Sequence, residues 1–189
     1  MNKILYFAVF LTVTAALVTT IAYLGYELTA PKIAENRDNK ISSSIALLYS
    51  PDDGYTKNDN QPINFYQELD RKYSSVITGV YEVLDSDLEV HAIIYNVKAQ
   101  GRNGFVNALI AVDPFNDSVV AVTYYEHGET PNIGEKYTRD DEIEKLLGQT
   151  IPDVTVDVIS GASTTWIAID EMFRMISTHY VDEEVHIDG

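Results

Sequence analysis

Positions 4–24, ILYFAVFLTVTAALVTTIAYL, form an apolar run of 21 residues without a charge. As a helix it would be roughly 32 Å long, against a hydrocarbon core of about 30 Å. A membrane-crossing helix is therefore expected within residues 1–26. Cleaved signal peptides have apolar cores of about 7–15 residues. The small pair Thr29-Ala30 is followed by Pro31, which disfavours cleavage there, so a retained anchor is the expected reading. Lys3 and the amino terminus precede the span, and Glu27 is the first charge after it. The positive-inside rule then puts the N-terminus in the cytoplasm and the rest outside, as a single-pass protein of the cell membrane.

Residues 27–64 read as a stalk and loop. Pro31 suits the first turn of a separate helix, and Ile33, Ile41, Ile45 and Leu48 make an intermittent apolar stripe. Residues 51–64, PDDGYTKNDNQPIN, are dense in turn formers. FYQELDRKY at 65–73 predicts a short helix. From residue 76 the pattern turns to partial alternation of β-branched and aromatic residues. Strands are expected at 76–84, 88–99, 105–113 and 118–127, with Pro114–Asp117 as a hairpin turn. Thr138–Leu147 predicts a helix capped by Thr138 and ended by Gly148, and residues 154–159 predict a strand. Trp166, Ile169, Phe173, Ile176 and Tyr180, spaced 3, 4, 3 and 4 apart, mark an amphipathic helix. Strands in the middle with helices before and after argue an α+β domain over 65–189. Its strand-to-strand links are too short for parallel crossovers, so the sheet is mostly antiparallel.

Charge and composition narrow the partners. The 189 residues hold 13 Lys plus Arg and 29 Asp plus Glu, a net charge of −16. Such a surface repels phosphodiester backbones, so nucleic acid is not an expected partner. Cysteine is absent. That excludes disulfides, Cys-ligated iron–sulfur clusters, thiolate zinc and Cys-attached haem, leaving an organic cofactor or a metal held by other ligands if electrons are handled.

Three segments carry candidate chemistry. In DVISGASTT, 157–165, Gly161 and Ala162 leave room beside the backbone. Ser160, Ser163, Thr164 and Thr165 place hydroxyls at a helix N-terminus, where free amides and the helix dipole suit an anion such as phosphate. The same residues also read as an ordinary capped helix start. In HGETPNIG, 127–134, Pro131 and Gly134 shape a loop that offers His127, Glu129 and Thr130; alone it is merely a loop. His127 with Glu129 is too little for a metal shell, and no metal site is expected. In QGRNGF, 100–105, glycines bracket Arg102 and Asn103, a plain hairpin or a place where backbone approaches a flat ligand.

These segments, in this order behind one N-terminal span, resemble the FMN-binding subunits of the Rnf and Nqr respiratory complexes, the RnfG/NqrC type. LTAPKIAEN resembles their stalk, QGRNGF their glycine-rich hairpin (Asn103, Gly104), and HGETPNIG their H-x-E-T-P-G-L-G loop. DVISGAS fits D-x-x-[ST]-G-A-[ST], the pattern read by an ApbE-type flavin transferase. The resemblance implies FMN held covalently, as a phosphoester of Ser163. Asp157, Ser160, Gly161 and Ala162 would form the recognition sequence and phosphate loop, Thr165 would supply a second cofactor hydroxyl, and Thr164 is a further candidate cofactor-binding residue. Glu129, Thr130, Pro131 and Gly134 would belong to the loop framing the isoalloxazine. Two departures stand out: Ser replaces the usual Thr at the acceptor, and Asn132 replaces a glycine, so Asn132 must tolerate a glycine-like backbone angle.

The function so implied is electron transfer, with other membrane subunits of an Rnf/Nqr-like complex as partners and the flavin transferase needed for maturation. No nucleophile–base pair suggests independent catalysis. Two other readings are a stand-alone extracytoplasmic FMN relay to an extracellular acceptor or reductase, and a tethered interaction domain without flavin.

Overall fold

The computed structural model describes residues 3–57 and 72–185. Most of the short helix expected at 65–73 lies outside the described residues. The chain divides into two compact units, residues 1–42 and 43–189.

Helix α1 runs unbroken from Lys3 to Leu48. It is long and apolar enough to cross a membrane. Pro31 lies inside it and does not open a second helix, contrary to the sequence-based expectation. Proline lacks one amide donor, and the helix tolerates that loss because both flanks continue the backbone ladder.

The second unit is built on a five-stranded antiparallel meander in the order β1-β2-β3-β4-β5. The strands are β1 (Thr56–Lys57), β2 (Ile77–Leu84), β3 (Val90–Gln100), β4 (Phe105–Asp113) and β5 (Ser118–Glu126). The four longer strands match the periodicity closely, and the α+β class holds. Short polar turns join them. At Pro114–Asp117 the Asp113 carboxylate accepts the Phe115 amide at 2.8 Å, and Asp117 sits at φ +51°. Aspartate is one of the few non-glycine residues that reach that region readily.

Two elements depart from the sequence pattern. The helix expected over Thr138–Leu147 is a 3-10 turn (Gly134–Thr138) followed by the short α2 (Asp140–Ile143), whose cap position is Arg139 and not Thr138. The following chain bonds to β5 and to the turn before it: Gly148 N–H donates to the Val119 carbonyl (2.7 Å) and Ile151 N–H to that of Asp117 (2.6 Å). Residues 154–159 form no strand and join no ladder, contrary to the sequence-based expectation.

Helix α3 (Ser163–Asp182) packs Ile169, Met172, Phe173, Ile176 and Tyr180 into the core shared with Val80, Tyr95, Val97 and Ile110 of the sheet. The 3-4 spacing read from the sequence thus marks the buried face, with Trp166 half-buried at its start. Each large apolar side chain buried there contributes about 1.5–3 kcal/mol. This packing fixes the N-terminus of α3 relative to the strand ends.

Candidate functional site

The hairpin between β3 and β4 is closed by Gly101 N–H donating to the Gly104 carbonyl at 2.9 Å, with Gly104 at φ +133°. No side-chain residue adopts that angle without strain. Asn103 projects from the hairpin and its Nδ2 donates to Thr130 Oγ1 at 3.1 Å. That bond joins the hairpin to the loop following β5.

The second loop turns on Thr130 and Asn132. The Thr130 carbonyl accepts the amides of Ile133 (3.1 Å) and Glu135 (3.3 Å). Asn132 sits at φ +59°, the left-handed angle its glycine-like position demands. Its amide donates to Glu135 Oε2 (3.1 Å), and its Oδ1 accepts from Arg139 Nη2 (2.7 Å). Pro131 is exposed and Gly134 is buried.

The third segment is held almost entirely by side chains. Tyr137 Oη accepts the Ile159 amide (2.8 Å) and donates to the Asp157 carbonyl (2.9 Å). Gln149 accepts the Thr155 amide (2.8 Å) and donates to the Thr155 carbonyl (3.1 Å), while Trp166 Nε1 donates to the Val156 carbonyl (2.9 Å). Backbone polar groups need partners, and here side chains replace the strand that the sequence pattern suggested. Burial pushes the Tyr137 hydroxyl above its ordinary pKa.

After this strap the chain turns at Gly161 (φ +84°) and enters α3. Ala162 is the buried cap position and supplies no side-chain cap. Ser163 is the first helical residue. Ser160, Gly161, Ser163 and Thr164 are exposed, and no atom lies near the space a Cβ on Gly161 would fill. The first intrahelical bond is Trp166 N–H to the Ala162 carbonyl, 2.9 Å. Amides ahead of it point out of the helix start together with the exposed hydroxyls, a donor set suited to a phosphate. The Asp157 carboxylate is largely solvent-facing, 3.5 Å from Lys145 Nζ.

Glu129 joins all three segments. It is 6% exposed. One carboxylate oxygen accepts the Arg102 amide at 3.0 Å; the other accepts the Thr165 hydroxyl at 2.5 Å. Gly101 and Gly134 crowd the same carboxylate, and a Cβ on either would collide with it. Thr165 is buried, so its hydroxyl serves this contact.

Two further polar atoms at the root of the second loop, Tyr124 Oη and His127 Nδ1, are buried without a hydrogen-bond partner among the described residues. Burial pushes the Tyr124 phenol far above its ordinary pKa. A groove of about 430 Å³ lined by Asp170, Arg174, Ser177 and Asp182 runs beside the later turns of α3 and includes no residue of the three segments.

Residues 101–176 match the FMN-binding domain family. That stretch is similar to the FMN-binding domain and makes up less than half of the 189 residues. The match begins at the Gly101 hairpin and ends in α3, so it takes in all three segments except Gln100. Among curated relatives, the C-type subunit of the Na(+)-translocating NADH-quinone reductase of Vibrio alginolyticus is 34% identical over 88 residues, 44% of this chain and 34% of that one. Its counterpart in Neisseria meningitidis serogroup A is 27% identical over 106 residues, 47% of this chain and 41% of that one. The aligned region thus spans 34% and 41% of these two relatives' length. The crystal structure of Shewanella oneidensis NqrC aligns with a TM-score of 0.47 and 22% identity, covering 56% of this chain and 60% of that one.

The residues present fit FMN. The open donor set at 160–164 suits its phosphate, and the glycine hairpin beside the second loop leaves backbone accessible to a flat ring. The site also rests on side-chain contacts that the sequence pattern did not reveal. Tyr137, Gln149 and Trp166 shape the strap ahead of Ser163, and Gly101 makes room for Glu129. Their contacts join positions 6 to 28 residues apart, and no local signal marks them.

Proposed function

We propose that this chain is a membrane-anchored electron-transfer flavoprotein subunit of an Rnf/Nqr-type ion-translocating oxidoreductase complex, with FMN esterified through its phosphate to Ser163. The observation that carries this reading is the placement of Ser163. Its hydroxyl is exposed on the first residue of α3, directly after the Gly161 turn and within D-x-x-S-G-A-S. Helix-start amides and the hydroxyls of Ser160 and Thr164 surround it with donors that stabilise a phosphate's charge. Bound FMN supplies a redox centre able to pass one electron at a time. The chain's own part is to bind and orient it: Ser160, Gly161, Ala162 and Thr164 at the phosphate, Asn103, Gly104, Thr130, Pro131 and Gly134 around the ring. Asp157 belongs to the sequence that an ApbE-type transferase reads, and Glu129 and Thr165 tie the frame together.

In this reading α1 crosses the cell membrane once, with the N-terminus in the cytoplasm and the flavin domain outside. A covalent tether suits a domain cut off from the cytoplasmic FMN pool. The partners are the other membrane subunits of the complex. Relatives named as components of the Na(+)-translocating NADH-quinone reductase support that assignment.

Intact mass of the denatured protein, produced with its flavin transferase, tests the attachment. Wild type is expected to gain one FMN minus one water, and Ser163→Ala to gain nothing. An unmodified wild type would remove the covalent flavin from the proposal.

A further inference from the structure

Both oxygens of the buried Glu129 carboxylate are engaged within the protein. One accepts the Arg102 amide at the β3–β4 hairpin, and the other accepts the Thr165 hydroxyl in the first turn of α3. Gly101 closes on it from the hairpin and Gly134 from its own loop, each with no room for a methyl group. A carboxylate in that position is costly unless charge-assisted bonds compensate its desolvation, and both of these bonds come from segments distant in sequence.

We infer that Glu129 and Thr165 are positioning residues, a latch that sets the distance between the phosphate end of the flavin site at 160–164 and the ring end at 102–104. This inference deepens the proposed function and rests on its flavin site. The geometry gives the latch its leverage. Thr165 lies two residues beyond Ser163 on the same helical turn, so the bond to Glu129 holds that turn against the loop framing the ring. The bond to Arg102 then ties the hairpin to the same carboxylate. Release of either bond frees the two ends of the site to move apart while α3 stays packed through Ile169 and Phe173. Gly134 has an ordinary backbone angle, so its small size is required by the latch and not by the turn.

The test uses the full-length chain in detergent. Thr165→Val removes the donor and keeps the shape, Thr165→Ser keeps the donor, and Gly134→Ala pushes a methyl into the Glu129–Thr165 contact. Amide exchange at 102–104 is read first on protein made without the flavin transferase. Loss of one charge-assisted bond corresponds to about ten- to a hundredfold faster local opening. That acceleration is expected in Thr165→Val and Gly134→Ala, with Thr165→Ser near wild type. Exchange at wild-type rates in both disruptive variants overturns the latch, whatever the fate of the flavin. Protein made with the transferase is then compared by intact mass and visible circular dichroism. The expected result is lower loading or an altered flavin spectrum in Thr165→Val, restored by Thr165→Ser. Full loading with an unchanged spectrum in Thr165→Val overturns the positioning role. Absence of flavin from wild type counts against the proposed function, and the exchange measurement still decides the latch.

Discussion

The Tyr137 hydroxyl accepts the amide hydrogen of Ile159 at 2.8 Å. It also donates to the Asp157 carbonyl, so one phenol substitutes for two ladder bonds that a neighbouring strand would have provided. The segment leading to Ser163 is therefore ordered by side chains from three places in the chain, Tyr137, Gln149 and Trp166.

Tyr137→Phe should destabilise the domain by about 1–3 kcal/mol, because it strands a partly buried amide while keeping the ring. Denaturant unfolding gives the energy, and limited proteolysis should show faster cleavage within 154–161. An unchanged midpoint together with unchanged cleavage would mean the strap is held elsewhere.

Phe173 is 1% exposed at the centre of the α3–sheet contact. Its replacement by Ala should cost about 3–5 kcal/mol, the range for emptying an aromatic core site. Thermal unfolding checks this, and a loss below about 1 kcal/mol would show that the helix does not depend on that contact.

Asn132 holds φ +59°. Asn132→Gly should be close to neutral, trading an exposed bond to Arg139 for an unstrained angle. Asn132→Val should lose about 1–2 kcal/mol, since a β-branched side chain resists the left-handed region. Equal stability of the two variants by denaturant titration would contradict the backbone assignment.

His179 is buried beside Tyr73 and Tyr95, with Tyr95 Oη 3.3 Å from its Nδ1. Burial lowers its pKa to about 4, against an opposing pull from Asp182. The unfolded chain takes up this proton first, so stability should fall as pH drops from about 6.5 to about 4 and level off below. The loss is about 1–3 kcal/mol. Asp182, held below the usual carboxylate range by Lys72 and Tyr73, loses its contribution in the same direction at lower pH. His179→Gln should flatten the limb between pH 6.5 and 4 in denaturant midpoints, and an unaltered slope would exclude His179 as its source.

Much of this protein follows from local pattern. Length and unbroken hydrophobicity are sufficient to mark a bilayer-length helix at Ile4–Leu24. Alternation marks β2 to β5, and the 3-4 spacing from Trp166 to Tyr180 marks α3, because each is a periodicity set by the backbone itself. The motif D-x-x-S-G-A-S was legible for the same reason: its residues are consecutive. Pattern overstated what local chemistry allows at three places. Pro31 sits inside α1, the helix after Thr138 is cut short, and 154–159 has a strand's composition without a strand's neighbour. The junction of the site depended on tertiary structure alone. Glu129 read as one polar residue of a loop, and Gly101 and Gly134 read as turn glycines. Only packing brings Arg102 and Thr165, 63 positions apart, onto one carboxylate. Contacts across that separation are decided by how α3 docks on the sheet and not by the residues beside them.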